Sequence, residues 1–223
     1  MFAVVESGSI TSMPRGNKGI QIGDIKYSAD IFTVKWTESQ RNAIGVYTIE
    51  IDETNKKDEE YYSNTTITYS YDSSADKVKG SYGTATAKSL DDVLFTQADQ
   101  DAGLGTKDQL NYRGLKYIKK LGIEQQCYAL LQPSDWRVIK EQETGSAMDS
   151  GWKTWRGNMR TKCNSMHTQI DNAANVDALA ALFTYTTTDG VTSRPLGEFP
   201  VKEYYNCISY TRCQHRISSI RNK

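Results

Sequence analysis

The chain of 223 residues has few of the residues on which several protein classes depend. It contains four cysteines with no CxxC pair, two histidines and four prolines, and this cysteine content is far below that of a disulfide-stapled domain. No stretch approaches the roughly 18 uninterrupted apolar residues of a membrane span, and the mean hydropathy is −0.62. We therefore expect one large or two small domains in a reducing compartment, with no membrane-spanning segment.

Signatures of catalysis are equally scarce. His167 and His215 are the two imidazoles that could serve acid–base chemistry near neutral pH, and the chain has no Gly-x-Ser-x-Gly elbow. Residues 16–19 (GNKG) lack the Gly-Lys-Ser/Thr ending of a phosphate loop, which favours a turn. We therefore expect neither an enzyme nor a cofactor.

The cysteines leave more than one interpretation open. Cys163 and His167 are spaced i, i+4, which places both side chains on one face of a helix, and Cys207, Cys213 and His215 could complete a zinc site. The spacings match no standard metal knuckle, and Cys163 belongs to an apolar stripe where cysteine commonly packs as a small hydrophobe. Buried free thiols are the first interpretation, with a metal site or a disulfide as alternatives.

Charge is balanced overall, with 27 Lys+Arg and 27 Asp+Glu, but it is unevenly distributed. Residues 1–111 contain 11 basic and 17 acidic side chains, whereas residues 112–223 contain 16 and 10. Opposite net charges in the two halves predict two surfaces that attract different partners, or that join copies of the chain head to tail as a homo-oligomer. The basic residues are too dispersed to predict a nucleic-acid interface.

The first half of the chain has the pattern of β-strands. Residues 46–51 and 65–71 place β-branched and aromatic side chains with period two. Residues 2–5 and 10–12 flank a glycine-containing turn, which predicts a short hairpin. The sequence from Thr37 to Gln40 matches a helix capping box. Together these patterns predict a β-rich, net acidic domain over residues 1–110.

The second half changes to helical spacing. Residues 149–172 predict the clearest helix, whose single apolar stripe consists of Trp152, Trp155, Met159, Cys163, Met166 and Ile170. Residues 176–183 predict a shorter last helix. The expected fold is α+β, with a net basic helical hairpin or bundle over residues 111–183. Residues 184–223 are expected to form a strand-and-loop tail that the body of the protein or a partner holds in place.

An earlier helix is expected to begin near Tyr112 and to end at Pro133. Its apolar positions follow helical spacing, and we expect them to face the core, at Leu115, Ile118 (or Lys119), Ile123, Cys127, Leu130 and Leu131. The lysines at positions 116, 119 and 120 are expected to face solvent.

The tryptophans are the candidates for an interaction site. Trp136, Trp152 and Trp155 belong to the densest apolar set in the chain, and Lys153 and Arg156 are expected on the flanks of the same helix. Packing in the core of the helical domain is the first interpretation of this set. The alternative is an interface anchor, because Trp, Tyr and Arg dominate binding hot spots.

Several segments resemble one family of bacteriophage proteins. The sequence LLQPSDW at residues 130–136, ETG at 143–145 and the Trp155-Arg156 pair on an amphipathic helix resemble the tail-fibre assembly family, of the kind found in phages of marine cyanobacteria and related bacteria. Residues 170–182 and 194–200 extend the resemblance. It implies no catalytic residues, and partners among the tail fibre and other tail or baseplate proteins.

The expected function is therefore that of a non-enzymatic phage tail protein that binds the tail fibre. It would be either a structural component of the virion tail or an assembly chaperone, made and assembled in the host cytoplasm. One alternative is a host-glycan-binding module at the fibre tip, where exposed tyrosines would stack on sugars. Another is a small metal-dependent or nucleic-acid-acting enzyme that uses Cys163, His167, Cys207, Cys213 and His215.

Overall fold

In the computed structural model, residues 1–202 are described, and they belong to two compact units that divide between Ala87 and Lys88. We call residues 1–87 the sheet unit and the part that begins at Lys88 the helical unit. The strands of the sheet unit precede the long helices along the chain, so the expected α+β fold is confirmed.

The sheet unit is built mainly from short strands. In chain order these are β1 (Phe2–Glu6), β2 (Ser9–Ser12), β3 (Ile20–Ile22), β4 (Ile25–Tyr27), β5 (Val46–Asp52), β6 (Tyr62–Ser63), β7 (Thr68–Asp72), β8 (Lys77–Ser81) and β9 (Thr86–Ala87). A 3₁₀ turn (Ala29–Phe32) and helix α1 (Glu38–Asn42) separate β4 from β5. The expected capping box is present, because the side chain of Thr37 accepts from Gln40 N while that of Gln40 accepts from Thr37 N.

Five strands form the central sheet, in the order β2-β1-β5-β8-β7. All neighbours are antiparallel except β5 and β8, which run parallel. Ala3 pairs with Tyr47 and Val4 pairs with Val46, so successive residues of β1 and β5 point to opposite faces. Each face carries its own apolar cluster, which explains why these strands are buried on both sides.

Gly45 allows β5 to begin close against β1. Its φ of +79° is unfavourable for other residues, and a Cβ at this position would lie 2.6 Å from the carbonyl oxygen of Val5. The amide of Val5 donates to the carbonyl of Gly45 over 2.8 Å. A glycine is therefore required where the chain enters its central strand.

The helical unit contains most of the helix in the described chain. Its elements are β10 (Val93–Leu94), α2 (Gln97–Asp101), β11 (Leu110–Tyr112), α3 (Leu115–Leu131), a 3₁₀ turn (Gln132–Ser134), α4 (Asp135–Thr144), α5 (Ser150–Asp171), α6 (Val176–Phe183), β12 (Thr186–Thr188) and β13 (Val191–Ser193). No helix within residues 1–202 combines the length and apolar character that crossing a membrane requires.

The boundary between the units lies 23 residues before the expected one at residues 110/111. Ser89 and Leu90 accept backbone hydrogen bonds of 2.9 Å from the first turn of α3, which ties this stretch to the helix. Asp92 accepts from Gly114 N over 2.8 Å, and its other oxygen pairs with Arg113. The polar composition of residues 96–109 therefore marks a segment inside the helical unit and not the linker between the units.

α3 faces the core with a different set of residues from the expected one. Leu115, Ile123 and Cys127 are buried, but Ile118 is 51% exposed and Leu130 is 44% exposed. At about 100° per residue, Ile118 lies about 140° around the helix from Ile123, which takes it out of the buried arc. The inward orientation predicted for Ile118 and Leu130 is therefore wrong.

The lysines of α3 also depart from the expected orientation. The side chain of Lys116 is 17% exposed, and Lys120 Nζ forms a 2.8 Å ion pair with Asp171 of α5. Lys119 Nζ lies 4.5 Å from the centroid of the Phe183 ring. The aliphatic stems of these lysines lie along the helical unit, while their ammonium groups reach charged or aromatic partners.

The chain after α6 is held by the helical unit as far as it is described. Leu196 is fully buried, its amide donates to Leu182 O, and its carbonyl accepts from Lys162 Nζ over 2.8 Å. Phe199 is also buried. These contacts bind the segment around Leu196 and Phe199 to the helical unit. The remainder of the predicted tail, residues 203–223, lies outside the described part.

Candidate functional site

A small apolar groove opens in the helical unit beside two of the predicted interaction residues. Its volume is about 300 Å³. Six apolar residues line it, namely Ala129, Leu130, Pro133, Trp152, Trp155 and Val201, together with Ser134 and Lys202. We call this feature the tryptophan groove.

Helix ends position one side of the groove. α3 ends at Leu131, and Pro133 follows in the 3₁₀ turn, where its ring replaces a backbone donor that a continuing helix would need. The hydroxyl of Ser134 donates to Leu131 O over 2.7 Å, which closes the turn. The groove therefore lies where a proline and a serine redirect the chain from α3 into α4.

The start of α5 positions the other side. Asp149 is the N-cap, and its Oδ1 accepts from Gly151 N over 3.0 Å and from Trp152 N over 3.2 Å. This cap fixes the first helical turn, which carries Trp152, while Trp155 follows three residues later. The two rings meet edge to face, with centroids 5.6 Å apart and an interplanar angle of 86°.

The groove offers mostly apolar surface because polar groups in its lining bond within the chain. Trp155 Nε1 donates to Pro200 O over 2.9 Å, and the hydroxyl of Ser134 donates to Leu131 O. Both tryptophans remain partly exposed. A bound group would therefore meet ring faces and aliphatic carbons, which recognise apolar shape rather than hydrogen-bonding pattern.

Arg156 lies inside the unit and not on a flank of α5. It is 6% exposed, and its guanidinium donates to Leu131 O over 3.0 Å, to the hydroxyl of Ser134, and to Asp135 Oδ1 over 2.7 Å. The expected surface position is therefore wrong. Arg156 joins α5 to the turn between α3 and α4 and holds one wall of the groove.

Two cations contact Trp152 from different parts of the unit. The guanidinium carbon of Arg137 lies 4.5 Å from the centroid of the Trp152 ring and 4.5 Å from that of Trp136. Lys202 Nζ lies 5.0 Å from the Trp152 centroid. Trp136 itself is 53% exposed and is not part of the lining. Charge is therefore concentrated next to one tryptophan of the groove.

Lys153 is the most exposed of the predicted interaction residues of α5. Its side chain is 72% exposed, and its Nζ lies 3.8 Å from Glu141 of α4. It is absent from the groove lining. The structure therefore brings Trp152 and Trp155 together in the groove, and places Trp136 and Lys153 outside its lining.

The cysteine cluster is separate from the groove. Cys127 of α3 and Cys163 of α5 are buried free thiols, and Cys163 Sγ lies 3.9 Å from His167 Nε2. Burial, with Cys127 as its neighbour, raises the pKa of Cys163 to about 11, so this thiol is protonated at neutral pH. A reactive thiolate or a ready metal ligand requires the opposite shift.

No group of three His, Cys, Asp or Glu side chains within residues 1–202 is arranged to hold a metal ion. The other three residues of the predicted metal set, Cys207, Cys213 and His215, lie outside the described residues. The described part of the predicted metal set therefore consists of Cys163 and His167 alone.

The sheet unit has a polar cluster of its own beneath an open acidic depression. Asp76 Oδ1 accepts from the hydroxyls of Tyr47 and Tyr71, each over 2.7 Å. Burial of Tyr47 and these hydrogen bonds raise its pKa well above the ordinary value of a tyrosine. Lys77 Nζ in the depression pairs with Glu50 over 2.7 Å. These contacts join β5 to the β7–β8 hairpin, which is a structural role.

The sequence pattern missed several residues that line the groove or contact its lining. Arg137 was given no role, and Pro200, Val201 and Lys202 belonged to a segment predicted only as a tail. Their contacts with α5 span 45 residues in the case of Trp155 and Pro200. Local periodicity carries no signal for such long-range contacts. The only local signal was Pro133, whose position indicated the end of α3.

No protein-family model, no curated protein and no solved structure matches this chain. The phage tail-fibre resemblance therefore stays a prediction, as do the virion localisation and the tail partners that it implies.

Proposed function

We propose that this chain is a non-enzymatic binding protein whose tryptophan groove receives an apolar side chain from a partner protein. The observation that carries the proposal is the groove itself, walled by Trp152 and Trp155 and lined mainly by apolar atoms. Its volume of about 300 Å³ is at the lower end of the range for ligand pockets. One or two side chains would fill it.

The construction of the groove suits an interface anchor. Tryptophan is the residue most enriched at binding hot spots, where a large rigid ring loses little conformational entropy on binding. Asp149 fixes Trp152 through its helical turn, and the bond to Pro200 fixes Trp155. A binding partner would therefore meet two walls that are already ordered, which lowers the cost of association.

The resemblance of the sequence suggests a tail fibre as the partner. On this proposal, the chain acts either as a structural component of the virion tail or as a chaperone that leaves after assembly. Quantitative mass spectrometry of purified virions separates the two roles. If the chain is present in virions at a copy number in proportion to the fibre, it is a structural component. If the chain is absent from virions, it is a chaperone.

The binding function can be tested with peptides. Overlapping peptides of about 15 residues, taken from phage tail-fibre and baseplate proteins, would be assayed for binding to the full chain. For the peptides that bind, we expect Trp152→Ala to lower the affinity by about 10- to 30-fold, as loss of a hot-spot aromatic does. Tyr128→Ala is the matched control, because Tyr128 is a large aromatic residue that is 63% exposed and lies outside the lining.

Two results would overturn the proposal. One is that no peptide binds. The other is that Trp152→Ala and Tyr128→Ala weaken the same peptides equally, because binding would then not depend on the groove.

A further inference from the structure

The two cysteines of the described residues form a pair that the proposed function does not use. Cys127 of α3 and Cys163 of α5 are 6% and 8% exposed, and both are free thiols. Cys127 Sγ lies 4.0 Å from the carbonyl oxygen of Met159. In an α-helix this carbonyl points toward the residue four positions later, which here is Cys163. Cys127 therefore packs against the turn of α5 that ends at the second thiol.

The two thiols are also hydrogen-bonding neighbours of each other. They come from helices that are separate in the sequence, so the fold alone brings them together. A disulfide requires two cysteines on neighbouring backbone segments whose sulfurs can meet. Residues 1–202 contain no further cysteine. Within this part of the chain, Cys127 and Cys163 are therefore the one pair that a disulfide could join.

One polar neighbour can take up the proton that oxidation must remove. His167 Nε2 lies 3.9 Å from Cys163 Sγ, and Glu124 Oε1 lies 3.8 Å from the same nitrogen. In the tautomer that carries its proton on Nδ1, Nε2 can accept the thiol proton. The nearby carboxylate stabilises the imidazolium that results. The side chain of His167 is 22% exposed, so it links the thiol to solvent. Cys163 is therefore the sulfur that we expect to react first.

Burial limits which oxidants can reach the pair and how fast they react. Burial raises the pKa of Cys163 to about 11, so its thiolate is scarce at neutral pH and oxidation is slow. A bulky oxidant such as glutathione disulfide is too large to approach a sulfur that is 8% exposed unless the helices separate. Hydrogen peroxide is scarcely larger than water. The pair is therefore suited to lasting exposure to peroxide and not to rapid turnover.

We infer that hydrogen peroxide converts Cys127 and Cys163 into a disulfide that joins α3 to α5. The thiolate of Cys163 attacks one peroxide oxygen and the O–O bond breaks, which leaves Cys163 as a sulfenic acid. The departing hydroxide takes the proton held by His167 and becomes water. The Cys127 sulfur then attacks the sulfenic sulfur, and the hydroxyl leaves with the Cys127 proton as a second water. Two thiols and one peroxide thus give one disulfide and two waters.

The disulfide would join the two helices that carry most of the tryptophan groove. α3 carries Ala129 and Leu130 of the lining, and α5 carries Trp152 and Trp155. A cross-link restricts the unfolded chain and so stabilises the helical unit. A chain that leaves a reducing compartment for an oxidising one would acquire this cross-link there. The inference goes beyond the proposed binding function and does not depend on it, because the disulfide can form whether or not a partner binds.

Peptide mapping of the full chain tests the inference. The folded protein is kept in about 1 mM hydrogen peroxide for about an hour, since disulfide formation takes seconds to hours. It is then denatured, alkylated with iodoacetamide and digested with trypsin without reduction. We expect residues 121–137 and 163–202 as one linked pair of peptides, because trypsin does not cut before Pro195. Dithiothreitol should separate them. The same experiment on a Cys207→Ser, Cys213→Ser chain removes the other two thiols from competition.

Variants and stability measurements show whether the linked pair is the predicted one. The oxidised chain should unfold at a urea concentration about 1 M higher than the reduced chain, and dithiothreitol should reverse this shift. Cys127→Ala should abolish both the linked peptides and the shift. His167→Asn should slow the formation of the linked peptides about tenfold or more and leave their final amount unchanged, because it removes the proton acceptor.

Two results would overturn the inference. One is that peroxide leaves both cysteines in their alkylated form. The other is that Cys163 is oxidised to the sulfinic acid while Cys127 stays alkylated, because the thiols would then be too far apart to join. Formation of the disulfide at the wild-type rate in His167→Asn would overturn the role of this histidine as proton acceptor. None of these results bears on the peptide-binding assay, so failure of the inference and failure of the proposed function are distinguishable.

Discussion

In the sheet unit the aromatic rings pack against one another and against the core, whereas in the helical unit the tryptophans line or adjoin an open groove. Phe2 and Phe32 have centroids 4.8 Å apart and pack against the cluster around Val46. Trp152 and Trp155 meet edge to face, and both line the groove.

The comparison shows that aromatic content alone does not indicate where a protein binds. Tyrosines of the sheet unit, such as Tyr47, are used to hold strands together, and their hydroxyls bond to a carboxylate of the same unit. The tryptophans of the helical unit lie where a proline ends one helix and a cap begins another. Replacing an aromatic residue should therefore mainly reduce stability in the sheet unit and mainly reduce binding in the helical unit.

The largest expected effect concerns the buried arginine that supports the groove. Arg156→Met should lower the free energy of unfolding of the helical unit by about 3 kcal/mol, because Leu131 O, the buried Ser134 hydroxyl and Asp135 lose the hydrogen bonds that this buried guanidinium donates. Urea denaturation followed by circular dichroism at 222 nm would measure it. Lys153→Met, at a position 72% exposed on the same helix, is the control and should change stability by less than about 0.5 kcal/mol. A similar loss in both variants would contradict the internal role of Arg156.

Arg156 also shows what sequence periodicity misses. The stripe of α5 from Trp152 to Ile170 was predicted, and Met159, Met166 and Ile170 are fully buried. At about 100° per residue, Arg156 lies at the edge of that stripe, somewhat farther from its centre than Trp155. A pattern that counts only apolar residues assigns the arginine to the flank, because its burial depends on Ser134 and Asp135 in another segment.

The fold class could be predicted because its signals are local. Alternation in residues 46–51 indicated β5, and the capping box at Thr37 marked the start of α1. The domain boundary could not be predicted in this way. It depends on Ser89 and Leu90 bonding to the first turn of α3, across a polar segment whose composition is that of a linker.

The second prediction tests the comparison directly with one tryptophan from each unit. Trp36 packs against the sheet-unit cluster and meets Tyr27 edge to face at 6.1 Å. Trp36 and Trp152 are both partly exposed. We therefore expect their replacement by alanine to lower the unfolding free energy by less than the truncation of a fully buried aromatic residue does. Trp36→Ala should cost about 2–3 kcal/mol of unfolding free energy, and Trp152→Ala about 1 kcal/mol. Equal losses in urea denaturation, or a larger loss for Trp152→Ala, would remove the distinction between the units.

The third prediction uses alkaline pH to distinguish the stability of the sheet unit from that of the helical unit. Burial and the hydrogen bonds to Tyr71 and Asp76 raise the folded-state pKa of Tyr47 above its unfolded value. The neutral phenol is thus favoured in the fold, so its contribution is fully present below about pH 10 and is lost as pH rises above it, by up to about 1.4 kcal/mol per pH unit. Tyr47→Phe should flatten this decline in the sheet unit.

Cys163 gives the corresponding signal in the helical unit. Its pKa is raised from 9.0 to about 11, so the stability linked to its neutral thiol should decline between these pH values. Cys163→Ala should remove that decline and leave the Tyr47 effect unchanged. Denaturation curves at pH 8, 9, 10 and 11, followed by unit-specific NMR resonances, would measure both. If either variant flattened the decline in both units, it would contradict the assignment of the decline to Tyr47 in the sheet unit and to Cys163 in the helical unit.

The smallest expected effect concerns Trp155, the groove residue that is anchored most like an aromatic of the sheet unit. Trp155→Phe keeps an aromatic wall but removes the 2.9 Å hydrogen bond from Nε1 to Pro200 O, which should cost about 1 kcal/mol of unfolding free energy. Trp136→Phe, at a site 53% exposed and outside the lining, is the matched control for stability. If Trp155→Phe lowered affinity for all peptides as strongly as Trp152→Ala does, the indole itself would be the binding determinant, and the hydrogen bond to Pro200 would not be its main role.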